Sequence, residues 1–115
     1  MSRQIPDFET HAGPVLGSAS LLTVGSFRTL VLSGEFDAGT SAGLVEGLDV
    51  GCSAGRDLVV DMTGVIFLDG VALRHIERAA RSLAGKGATL RITHPPRVVR
   101  RLLRAVGATH LLLQA

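Results

Sequence analysis

The chain has 115 residues, a formal net charge of +2 and 46% hydrophobic residues, which describes one domain with an aliphatic core and excludes a charge-extended disordered chain. With no Trp, no Tyr and four Phe, it has no stacking platform for nucleic-acid bases. Its one cysteine, Cys52, rules out an internal disulfide; with no apolar leader core and no run long enough to span a membrane, the sequence reads as cytoplasmic.

Residues 1–20 carry Pro6, Gly13, Pro14 and Gly17 with no sustained period and read as a loose lead-in to a domain over residues 21–115. Leu21–Val24 and Phe27–Leu32 read as strands joined by Gly25-Ser26, a two-residue hairpin that calls for positive φ at the glycine. A helix over about Thr40–Leu48 follows, with Leu44, Val45 and Leu48 apolar and glycines at 39, 43, 47 and 51. Interior glycines cost roughly 1 kcal/mol each relative to Ala, so this helix is predicted to be soft and packed close to the sheet. Asp57–Met62 reads as a parallel strand with an apolar centre.

The segment Val65-Ile66-Phe67-Leu68-Asp69-Gly70-Val71-Ala72-Leu73 combines an apolar run, a loop carboxylate and a first helical turn. Asp69 suits an N-cap, accepting from a backbone N–H two or three residues on. Ala72, Leu73, Ile76, Ala79, Ala80 and Leu83 then form one apolar stripe, opposite Arg74, Glu77, Arg78 and Arg81. Ala88–Thr93 reads as a strand. Pro95-Pro96 opens a last helix to about Val106, with Val98, Val99, Leu102, Leu103 and Val106 as its buried stripe and Gly107 as its stop. Leu111–Leu113 reads as a short final strand. The order β-β-α-β-α-β-α-β predicts an α/β domain with a mostly parallel sheet, an antiparallel N-terminal hairpin and three to four helices.

Three stretches resemble the STAS domains, specifically the anti-sigma factor antagonists. They are Leu32-Ser33-Gly34-Glu35-Phe36-Asp37, then Val59 through Asp69, then the helix opened by Pro95-Pro96 with Val98, Arg100 and Leu102. The likeness runs from about Leu21 to Leu113. It implies a binding module rather than an enzyme. The partner it implies is an anti-sigma factor, typically of serine-kinase fold, whose capture frees a sigma factor. It implies no cofactor, no metal, no direct nucleic-acid contact and no membrane contact, and it leaves a homodimer open.

In that family the aspartate matching Asp69 is followed by a phosphorylated Ser or Thr. Here Gly70 stands in the acceptor's place, with Val71 and Ala72 in those of the next hydroxyl residue and glycine. The resemblance therefore implies a partner-binding surface of Asp37, Asp69, Gly70, Val71 and Arg74 that lacks the usual phosphorylation switch. Phosphorylation adds about −1.5 to −2 charge, and a glycine has no group to carry it.

Other readings compete. The module can be a scaffold or subunit of a signalling assembly or a transporter. Gly39-Thr40-Ser41-Ala42-Gly43 is a G-x-S-x-G string, and Ser41, Asp69 and His94 follow the chain order of a hydrolase triad; the plainer reading is a helix start with hydroxyl caps. Glu35, Asp37, Asp61 and Asp69 can share the C-terminal edge of the sheet, where α/β folds place ligands, although capping and loop bonds explain them. Arg97, Arg100, Arg101 and Arg104 give the last helix a basic face, a solvated surface before it is a phosphate site. His11, His75, His94 and His110 have no metal-ligand spacing with Cys52.

Overall fold

The computed structural model describes residues Ser2–Ile5 and Gly17–Leu113. Among these described residues five strands form one sheet in the order β1-β2-β3-β4-β5: β1 (Ser2–Ile5), β2 (Ser18–Val24), β3 (Phe27–Phe36), β4 (Leu58–Leu68) and β5 (Leu90–Thr93). The helices are α1 (Ala42–Cys52), α2 (Gly70–Ala84) and α3 (Arg97–Val106), followed by a 3₁₀ turn at Thr109–Leu111. β1–β2 and β2–β3 are antiparallel, while β3–β4 and β4–β5 are parallel. This is the α/β sheet the pattern predicts, an antiparallel N-terminal hairpin followed by parallel strands, and one further strand on the antiparallel side makes it evenly mixed where a mostly parallel sheet is expected.

That extra strand lies inside the stretch expected to be a loose lead-in. Ser2–Ile5 pairs with Leu21–Val24, and β2 already begins at Ser18. A four-residue strand is too short to show a period, and what calls for it is the open backbone edge of β2. Pro6, His11, Gly13 and Pro14 lie outside the described residues. At the hairpin, Val24 pairs with Phe27 across Gly25-Ser26, and Gly25 has φ +60°, as the turn requires.

The core is a ladder of aliphatic side chains on one sheet face. Leu21 pairs with Leu30, Leu30 with Val60 and Val60 with Ile92, and all four are fully buried. Leu44 and Leu48 of α1, Leu73 and Ile76 of α2, and Val99 and Leu103 of α3 join the same cluster. Each such side chain contributes about 1.5–3 kcal/mol relative to exposure. Along β4 burial alternates, with Val59 and Asp61 only half-buried, so this parallel strand is not covered equally on both faces.

Where β3 meets β4, the pairing slips twice, between Val31 and Ser33 and between Gly34 and Glu35. Gly64 permits the approach: a Cβ there would come within 2.9 Å of Ser33 Cβ. Such slips bend a strand pair and re-aim its end. β4 thereby runs on to Leu68, well past the expected end at Met62, and β3 and β4 leave the sheet together at the pair Phe36–Leu68.

Two expectations at the C-terminus change. Only Val99 and Leu103 of α3 are fully buried and Leu102 is half-buried, whereas Val98 and Val106 are 39% and 50% exposed. The five-residue apolar stripe is wider than the arc that β4 and the 3₁₀ turn can cover. Leu111 closes the 3₁₀ turn, and Leu112 makes a single parallel bridge to Ile92 instead of a strand.

Candidate functional site

Asp37 and Asp69 each follow the last residue of a parallel strand. Because Phe36 and Leu68 are paired, the two aspartates leave the same edge of the sheet. Asp69 N donates to Phe36 O at 3.0 Å, joining the two loops. Asp37 organises its own loop: its Oδ1 accepts from Gly39 N at 2.8 Å and from the Thr40 hydroxyl at 3.0 Å, and Asp37 N donates to Thr40 Oγ1 at 3.0 Å. Asp69 is the expected N-cap. It is extended at φ −91°, ψ 178°, and its Oδ1 accepts from Ala72 N at 2.8 Å, as a helix start requires.

Gly70 is exposed at the first position of α2, and a Cβ built on it meets nothing within 4 Å. The place has open space where a side chain would begin and holds none. Val71 is 42% exposed, and Arg74 is exposed one turn further along α2. Asp37, Asp69, Gly70 and Val71 thus share one end of the sheet, with Arg74 on the solvent side of the helix that Asp69 caps.

A second feature adjoins this edge and was not legible in the sequence. Phe67, Leu68, Gly70, Val98, Arg101, Leu102 and Ala105, with Asp69 whose carboxylate is turned to its cap bond with Ala72 N, line an open, largely apolar groove of about 400 Å³ between the end of β4 and α3. Ile66, 59% exposed, and Phe67, 40% exposed, place further apolar surface at the same end of β4. Its only sequence signal is that the α3 stripe holds more apolar positions than one helix face buries.

A family model described as "Mlab, STAS domain" matches residues 23–114. The chain belongs to the STAS domain family. Solved structures share the fold of this STAS domain. An anti-sigma factor antagonist from Mycobacterium paratuberculosis aligns with TM-score 0.76 and 18% identity, over 89% of this chain and 87% of that one. The anti-sigma factor antagonist SpoIIAA in its unphosphorylated form aligns with TM-score 0.66 and 16% identity, over 84% and 87%. The murine anion transporter Slc26a9 aligns with TM-score 0.60 and 13% identity, over 89% of this chain and 21% of the transporter. No curated protein sequence matches the chain.

The remaining candidates of this STAS domain are not assembled for chemistry. Ser41 is buried at the start of α1 and makes no side-chain cap bond; its carbonyl accepts from Val45 N at 3.0 Å. The carboxylate facing His94 is that of Asp61, 3.8 Å from Nδ1, not that of Asp69. Asp61 pairs with Thr93 in the sheet, so Asp69, eight residues on, lies roughly 26 Å further along the chain at strand rise. No hydrogen bond joins Ser41, Asp69 and His94. Asp61 is otherwise engaged with Thr63, at 2.6 Å to the hydroxyl and 3.0 Å to the backbone N–H. Among the described residues no three His, Cys, Asp or Glu side chains converge as metal ligands, and no helix is long and apolar enough to cross a membrane.

Proposed function

We propose that this STAS domain is an anti-sigma factor antagonist that binds an anti-sigma factor of serine-kinase fold and so releases a sigma factor. Binding uses the edge formed by Asp37, Asp69, Gly70, Val71 and Arg74. The observation that carries this reading is the site at Gly70: an exposed helix start beside two ordered carboxylate loops, uncharged and without a side chain. The structural likeness to two anti-sigma factor antagonists supports the same reading. A phosphate is well tolerated at a helix N-terminus within one chain, but against a partner it adds charge that must be met or desolvated. Gly70 accepts no phosphate, so the edge stays in its unmodified, binding form.

The test is Gly70→Asp, measured by calorimetry against the kinase-type anti-sigma factor. The open space around residue 70 keeps the variant folded. Charge at the contact is expected to weaken binding by about tenfold or more; unchanged affinity places docking elsewhere. Gly70→Ser, incubated with the same kinase and ATP, is expected to gain a phosphate by mass spectrometry and then lose affinity.

A second reading has its own observations. The matching family model is described by the name Mlab, and the fold recurs as a fifth of an anion transporter, 21% of that chain. A role as a subunit of a transporter assembly predicts a stable stoichiometric complex with the other subunits, unchanged by kinase and ATP.

A further inference from the structure

Helix α3 carries Arg97, Arg100, Arg101 and Arg104 and no acidic residue. All four are exposed, and among the described residues none has a hydrogen-bond or ion-pair partner. Positions 97 and 101, 100 and 104, 97 and 100, and 101 and 104 are like-charge neighbours on the helix surface, an arrangement that destabilises an isolated helix. Arg97 also stands in the first turn, where the helix dipole disfavours a cation; Pro96 supplies no capping side chain and no acidic residue follows it. Beside this self-repelling array lies the apolar groove, into which Val98, Arg101, Leu102 and Ala105 project at helical spacing, with Phe67 as its far wall.

We infer that α3 and this groove receive an acidic amphipathic segment of the protein partner, its apolar face in the groove and its carboxylates on the arginines. The mode is helix-in-groove recognition, in which the partner's segment supplies apolar anchors at i, i+3, i+4 and i+7. The charge decides the sign of the partner: carboxylates relieve the repulsion among the arginines and complete the dipole that Arg97 opposes. The apolar groove decides its class, because a nucleic-acid backbone matches the arginines but leaves Val98, Leu102 and Ala105 facing phosphates. The inference rests on the anti-sigma factor reading only for the contiguity of groove and edge at Gly70, and it names the chemistry of the segment that such a partner would supply.

The test uses a fluorescein-labelled peptide of about 18 residues, long enough to be helical, with Leu along one face and Glu flanking it. It is titrated against the whole protein, with duplex DNA and phosphatidylglycerol vesicles as separate arms. Saturable binding is expected, weakened at high salt, with amide shifts confined to α3 and the end of β4 that line the groove. Arg101→Glu and Val98→Glu, both at exposed positions, are each expected to weaken it by about tenfold or more while the circular dichroism stays unchanged. Absence of peptide binding, equal binding by these variants, or preference for DNA or vesicles over the peptide overturns the inference. The assay contains no anti-sigma factor, so its failure leaves the Gly70 experiment standing, and failure at Gly70 leaves this result standing.

Discussion

Helices α1 and α2 pack against each other in one layer, but different physics holds each in place. α2 carries its own ends. Asp69 caps its first turn, Arg81 stands in its last turn, and Leu73, Ile76 and Leu83 are its buried stripe. α1 has no side-chain bond at its N-cap, no acid in its first turn and no base in its last; its one local cap is the Ser53 hydroxyl donating to Val50 O at 2.7 Å, and three of its buried residues are Gly43, Gly47 and Gly51. Its charged support comes from elsewhere in the chain. Arg28, at the start of β3, donates from Nη1 to Gly51 O at 3.0 Å and to Val50 O at 3.5 Å. That places a cation on the carbonyl end of the helix. At Gly51 a Cβ would stand 3.1 Å from Leu58, so the missing side chain sets how closely α1 approaches the sheet. A helix whose N-cap and end charges are written in its own sequence can be recognised from it; one whose end charge is supplied from across the fold cannot.

The sharpest way to break this comparison is to remove the distant cap. Arg28→Ala deletes hydrogen bonds from a charged donor, and urea denaturation is expected to show a loss of about 2 kcal/mol. Native-state amide exchange in the parent protein is expected to be faster in α1 than in α2, and in Arg28→Ala it is expected to accelerate further in α1 and to change little in α2. Equal acceleration in both helices would mean that α1 does not depend on Arg28 separately.

A smaller effect separates the two N-termini. Asp69→Ala removes the bond to Ala72 N, with an expected loss of about 1 kcal/mol. Ser41→Ala removes a hydroxyl that caps nothing and is expected to stay within about 0.5 kcal/mol of the parent. Equal losses in the two variants would show that Ser41 caps α1 in solution. The anti-sigma factor assay divides them as well, since Asp69 belongs to the proposed edge and Ser41 does not.

The same contrast explains what was legible in the sequence. The parallel β-α-β order, the Gly25-Ser26 hairpin, the Asp69 cap and the placement of Asp37 beside Asp69 all follow from local chemistry plus the rule that parallel strands end side by side. Strand β1 was not legible, because four residues show no period and the cause of pairing is the edge of β2. Nor was the exposure of Val98 and Val106: periodicity marks which residues share a face of α3, not how much of that face the sheet covers. The groove follows from that shortfall, so it needed the packing. His94 fell beside Asp61 rather than Asp69 because strand register fixes which residues are level, and a motif read along the chain carries no register.

The smallest predicted effect lies at the seam of the two helices. Cys52, the last residue of α1, is 7% exposed and borders a groove of about 250 Å³ shared with His75 and Arg78 of α2. Burial pushes its thiol up from the ordinary value of 9.0; Lys86 opposes the shift, Asp49 reinforces it and Arg28 opposes it. A thiol that holds its proton to higher pH when folded stabilises the fold fully below the unfolded value, and loses that contribution as pH rises through the folded value. With no Tyr in the chain and Lys86 its one lysine, few other side chains titrate in that window. Unfolding free energy is therefore expected to fall as the pH rises above the ordinary thiol value of 9.0 in the parent protein. In Cys52→Ala the fall should be shallower, whatever the absolute loss from the smaller side chain. Parallel pH profiles would mean that the end of α1 opens far enough to hydrate the thiolate, and the difference between the two helices would then extend from their caps to the seam itself.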